Sequence, residues 1–348
     1  MSMHNSQVLY TSGMKRNIMS LGQITLMLLI ILFSQSSFVF KPDPLAGKII
    51  CLDAGHGGTS KTDFYRQGPT GEREEYVNLR VAKLLQGMLE SRGARVIMAR
   101  TGDDAIPLGA RPKIAVDNKA DLFLSIHHNA TADSSVNFPI IYFHGNASEN
   151  EAGVALGKDI AVALRKKFYG SSKKQASVVS DHTVFASGGA GVLRGSYGIP
   201  GVLSEASFFT NPKEESLLKN EEHNKKEAEA YLAALEMFFS KPKPVIAERY
   251  SKIQIPPFRG LQEADRMSEV AKNWYRDYED GLKLLNKKDT TSLNQAYELF
   301  TRSARSFPDS YVAAKCHENR ALILKKLGKL TESKQEENRV KEYYVNVK

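Results

Sequence analysis

The chain has 348 residues, 42% hydrophobic and 25% charged, which allows about two globular domains and excludes a disordered chain. The formal net charge is +9, but its lysines and arginines are scattered and no zinc-finger, homeodomain or RNA-recognition signature is present, so nucleic acid is not expected as a partner. Two cysteines, Cys51 and Cys316, are too few and too far apart for a disulfide framework.

At the N-terminus, Lys15 and Arg16 precede an apolar run over residues 26–33, followed by Ser34-Gln35-Ser36-Ser37. A positive flank, a short apolar centre and small residues are the parts of an export signal. Residues 18–40 nearly suffice to span a bilayer, so an uncleaved membrane anchor stays open. Residues 1–45 are therefore expected to be an export signal or anchor with a short connector, Lys41-Pro42-Asp43-Pro44, and the chain to work in the periplasm or cell envelope.

From 46 to 240, strand-like and helix-like patterns alternate. Residues 48–52 form a short apolar run closed by Asp53 and glycines, as in a buried strand. Val77, Val81, Leu84, Leu85 and Met88 recur at helical spacing before Gly93. Strands are expected at 95–99, 121–126, 139–143 and 201–204, and helices at 151–168 and 222–239. This alternation argues an α/β fold with a mostly parallel central sheet flanked by helices. Prolines at 242, 244, 256 and 257 mark a linker over 241–260. Beyond it, strand signals vanish, and 261–348 is expected to be all-α. Ala296, Phe300 and Pro308 have the spacing of tetratricopeptide repeats, with Gly281 as the small residue of a first helix. A generic helical bundle fits these residues equally well.

Four polar clusters stand at strand ends or a helix start, where α/β proteins place their sites. They are Asp53-Ala54-Gly55-His56-Gly57-Gly58, Glu72-Arg73-Glu74-Glu75, Ser125-Ile126-His127-His128-Asn129 and Leu203-Ser204-Glu205-Ala206-Ser207. Taken singly, each has a plain structural role: a polar turn, a helix start favouring acids, edge histidines. Together, two histidines and one carboxylate match the three-ligand set of catalytic zinc, which leaves a fourth position for water.

In this order the clusters resemble the zinc-dependent N-acetylmuramoyl-L-alanine amidases. The likeness includes Asn78-Leu79 after Glu74, Ala99-Arg100, Leu108 with Arg111, Val192-Leu193-Arg194, and Phe208, Thr210 and Asn211 after Glu205. It covers roughly 48–240. The resemblance implies one Zn2+ held by His56, Glu74 and His127, with Glu205 as the catalytic glutamate. Glu74 is preferred to Glu72 and Glu75 because it stands five residues before Leu79. The family usually has Ala where this chain has His128, which leaves His128 as the alternative ligand. No substrate-binding residue is assigned. The implied substrate is peptidoglycan, cleaved between N-acetylmuramic acid and L-alanine during wall remodelling or cell separation. Two other readings stay open: a non-catalytic wall-binding scaffold, and a zinc peptidase acting within the stem peptide. The helical region offers a surface for a protein partner, and residues 18–40 a means of membrane attachment.

Overall fold

The computed structural model describes residues 42–58, 66–170, 175–242, 244–287 and 289–347. The expected export segment and the apolar stretch 18–40 fall outside them, save for the end of the connector. Among the described residues no helix is long and apolar enough to cross a membrane.

In chain order the strands are β1 (Ile49–Ala54), β2 (Arg95–Met98), β3 (Leu122–Asn129), β4 (Ile140–Phe143), β5 (Ser177–Ser180), β6 (Gly201–Phe208) and β7 (Tyr344–Val345). Among the described residues they form one sheet in the order β2-β1-β3-β6-β4-β5-β7. The first four in that order run parallel. β4 lies antiparallel to β6, β5 parallel to β4, and β7 antiparallel to β5. The sheet is mixed, with parallel pairs in the majority. The helices are α1 (Glu74–Ser91), α2 (Ala110–Asp117), α3 (Glu151–Tyr169), α4 (Gly191–Gly195), α5 (Pro212–Leu218) and α6 (Glu221–Phe239). Then come α7 (Glu263–Arg266), α8 (Trp274–Leu285), α9 (Thr290–Ser306), α10 (Ala313–Lys326) and α11 (Leu330–Tyr343).

Alternation along the strands assigns the two faces. Ile50, Leu52, Leu124, Ile126 and Val202 face one side, where Val77, Val81 and Leu85 of α1, Leu156 and Ile160 of α3, and Tyr231 and Leu235 of α6 cover them. Cys51, Phe123, Ile140, Tyr142 and Leu203 face the other. There they meet Val192 and Leu193 of α4 and, from the C-terminal region, Trp274, Phe307 and Val312.

β5 and α2 escape the sequence reading for local reasons. β5 offers only two apolar residues in a four-residue strand. α2 carries Pro112 in its first turn, where a missing N–H breaks no intrahelical bond.

Residues 43–348 form one compact unit. Beyond 261 the helices are arranged as two hairpins. In the first, Gly281 lies against Phe300, where a Cβ would come within 2.8 Å of the ring, and Arg302 Nε donates to Asp277 at 2.6 Å. In the second, His317 and Arg320 of α10 reach Glu336 of α11 at 2.5 and 3.1 Å. Polar ties bind this region to the sheet. Tyr142 of β4 donates to Asp309, which also pairs with Arg266 at 2.9 Å, and Trp274 Nε1 donates to Asp133 at 3.1 Å. The stretch between the two regions is held by Glu149, which accepts from the backbone N–H of Ala247, Tyr250 and Lys252 at 2.7, 3.1 and 2.8 Å.

Candidate metal centre

The turn after β1 is tied down by two buried arginines. Arg100 donates to the carbonyls of Ala54, Gly55 and Glu75 at 2.7, 2.9 and 2.7 Å. Arg111 pairs with Asp53 at 2.7 Å and donates to the carbonyls of Ala54 and His56. These bonds hold His56 at φ 60°, a left-handed conformation uncommon for a residue with a Cβ. Gly55 is required by contact. A Cβ there would lie 2.2 Å from the His127 ring.

Glu74 opens α1, and its carboxylate is directed at both imidazoles. Oε2 lies 3.0 Å from His56 Nε2, and Oε1 lies 3.0 Å from His127 Nδ1. Asn78, one turn on, donates to Glu74 at 3.1 Å and to the Gly55 carbonyl at 3.3 Å. The other two glutamates are used elsewhere: Glu72 pairs with Arg80, and Glu75 with Arg73. Burial alone would raise the pKa of Glu74, but the charges and hydrogen bonds of His56 and His127 outweigh it and hold the carboxyl well below its usual value. Burial lowers the pKa of His127, with Glu74 pulling the other way. Both shifts are in the direction a metal requires of its ligands, towards a carboxylate for Glu74 and a neutral imidazole for His127.

His127 and His128 point to opposite faces of β3. His127 joins Glu74 and His56, the two imidazole rings standing edge to face with centroids 4.7 Å apart. His128 turns into the core beneath α1 and α6, with Nδ1 2.8 Å from Asn78 Oδ1 and Nε2 3.0 Å from Glu227 Oε2. Burial acts to lower its pKa, but the charge and hydrogen bond of Glu227 prevail and raise it. Glu205 on β6 is in register with His127 on one side and Ile140 on the other, so its buried side chain shares the His127 face of the sheet.

His56, Glu74 and His127 offer three ligand atoms within 4.8 Å of one another. Two of these residues, with Asp53 and Arg111, line a cavity of about 620 Å3 whose walls also include Leu203, Phe185, Gly189 and Arg194. Donor set, spacing and access all fit a divalent metal of the zinc type.

A second such group was not anticipated from the sequence: His144, Asp181 and His182. His144 follows β4 and Asp181-His182 follow β5, strands that run opposite to β3 and β6, so the group sits towards the other end of the sheet. The missed β5 hid it. A histidine and an Asp-His pair after two neighbouring strands would have been the signal. Here His144 Nδ1 lies 2.7 Å from Asp181, and Asp181 also accepts from the backbone of Gly145 and Ala190 at 3.3 and 2.8 Å.

On an α/β sheet, these geometries define candidate metal-binding groups at strand ends. The profile of the N-acetylmuramoyl-L-alanine amidase family matches residues 50–237, more than half of the chain, and the chain belongs to that family. A similar curated protein is the probable cell wall amidase LytH of Staphylococcus aureus, 32% identical over 199 residues. That match covers 57% of this chain and 60% of LytH, so the chain spans less than two thirds of the relative's length. Solved structures with a similar fold include the CwlD amidase of Clostridioides difficile in complex with the GerS lipoprotein (25% identity, 56% of this chain, 99% of that one, TM-score 0.48). Another is the amidase AmiC2 of Nostoc punctiforme (24% identity, 56% and 99% coverage, TM-score 0.48).

Proposed function

We propose that this protein is a zinc-dependent N-acetylmuramoyl-L-alanine amidase that hydrolyses the amide between N-acetylmuramic acid and L-alanine in peptidoglycan. The observation that carries this reading is the convergence of His56, Glu74 and His127 beside a cavity, with Glu205 in register with His127 on the neighbouring strand. His56, Glu74 and His127 would hold one zinc ion. Bound there, zinc supplies a Lewis acid for the scissile carbonyl and an acidified water. Asn78 and the backbone N–H of His128 orient Glu74, and Arg100 and Arg111 fix the backbone that presents His56. The Glu205 carboxylate would accept a proton from the attacking water and pass it to the leaving amine of L-alanine.

On this reading residues 1–45 export the protein or retain it at the envelope membrane, 46–240 carry the chemistry, and 241–260 connect to a tetratricopeptide-like region at 261–348. That region offers a surface for a protein partner. Digestion of purified cell wall tests the activity. New L-alanine amino termini on released peptides are expected, whereas new termini within the stem peptide would identify a peptidase, and no new termini would leave a wall-binding protein.

A further inference from the structure

Phe185 and Gly189 line the cavity beside the metal centre. On those same two residues a second cavity of about 420 Å3 begins, a size within the ~300–1,000 Å3 of ligand sites. One wall is the loop over residues 184–189. The other belongs to the C-terminal region and presents Arg259, Gln262 and Asp265, beyond the residues that match the family profile.

Both walls are fixed from behind. In the loop, Phe185 N–H donates to Asp181 O and Gly189 N–H to Phe185 O, each at 2.9 Å. Across the cavity, Gly260 lies so close to Pro308 that a Cβ would fall 2.6 Å from its ring. Leu261 N–H donates to Arg305 O at 2.7 Å, and the buried Arg266, paired with Asp309, donates to Leu261 O at 3.2 Å. Arg259 and Asp265 thus project from backbone that needs little further ordering to bind a ligand. Both are exposed, and neither side chain is in an ion pair among the described residues.

We infer that this second cavity is a subsite for the outer part of the stem peptide, the part furthest from the muramic acid. The inference rests on the amidase reading for the identity of the substrate. A peptide leaving the first cavity past Phe185 carries carboxylates and the free amine of a diamino acid. Arg259 matches a carboxylate with a planar fork, Asp265 matches the ammonium, and Gln262 offers both a donor and an acceptor to peptide groups. The C-terminal region therefore takes part in substrate recognition.

The test uses the zinc-loaded full chain and the synthetic peptide L-Ala–D-isoGln–L-Lys–D-Ala, which has no muramoyl amide to cleave. Titration calorimetry should show binding to the wild type, weakened roughly tenfold by Arg259→Ala and by Asp265→Ala, as for the loss of a charge-assisted hydrogen bond. Turnover adds a second readout. Arg259→Ala should raise KM for an N-acetylmuramoyl-tetrapeptide at constant kcat and leave an N-acetylmuramoyl-dipeptide unaffected. Equal peptide affinity in wild type and variants, or equal effects on both substrates, overturns the subsite. Peptide binding by the wild type that Arg259→Ala weakens, together with no cleavage of either substrate by the wild type, would retain the subsite and reject the amidase reading.

Discussion

Two regions of this molecule hold the same residue types: two histidines and a carboxylate with ligand atoms within 4.8 Å. In the first, both Glu74 oxygens are aimed at imidazole nitrogens, and His56 and His127 border a cavity. In the second, Asp181 is fully buried and already accepts from two backbone N–H groups as well as approaching His144. The far nitrogen of His144 faces the Arg249 guanidinium at 3.4 Å, a cation where a metal would need none. Residue type alone does not make a metal site. A way in matters as well, and the first group has one in the cavity that His56 and His127 border. Asp181 also acts as a clamp, joining the ends of β4 and β5 to the loop that walls the cavity.

The sharpest way to break this comparison is to remove a ligand. Glu74→Ala should abolish wall hydrolysis, because zinc site and water activation fail together; substantial activity in that variant would move the metal elsewhere. Glu205→Gln keeps size and removes basicity. It should bind zinc normally and lose about two or more orders of magnitude in rate, and full activity would take Glu205 out of the mechanism. Asp181→Ala should behave differently from both. Its cost should fall on stability, about 1–3 kcal/mol for donors left without an acceptor, with zinc retained. Denaturant unfolding alongside metal analysis separates the two effects.

The smallest effect concerns acid. In the second helical hairpin, burial lowers the pKa of His317 from 6.5 to about 4. For Glu336 burial pulls upward, but His317 and Arg320 outweigh it and bring the value from 4.5 down to about 2. Both folded values lie below the unfolded ones, so the unfolded chain binds more protons. The pair's contribution to stability is full above about pH 6.5 and is lost as pH falls towards 2. Thermal melts at pH 7, 5 and 3.5 should give a falling Tm, and Glu336→Gln should flatten the trend. A Tm unchanged over that range would contradict it.

Much of this was legible in the sequence. Val77, Val81 and Leu85 repeat at helical spacing, and the apolar runs 48–52 and 121–126 end in the polar residues that form the site. The sequence could not show which of His127 and His128 faces Glu74. Strand alternation sends neighbours to opposite faces, and only the packed sheet says which face is which. It was equally silent on the C-terminal region's hold on the sheet. That depends on Tyr142 meeting Asp309 and on Phe138 packing against Phe307 and Tyr311, contacts between residues more than a hundred positions apart. The second histidine group stayed hidden because two valines are too weak a signal for β5.

Zinc content, measured by mass spectrometry on wild type, Glu74→Ala and Asp181→Ala purified side by side, tests the central claim most directly. About one zinc per chain is expected in the wild type and in Asp181→Ala, and almost none in Glu74→Ala. The reverse pattern, with zinc lost from Asp181→Ala and kept in Glu74→Ala, would contradict it.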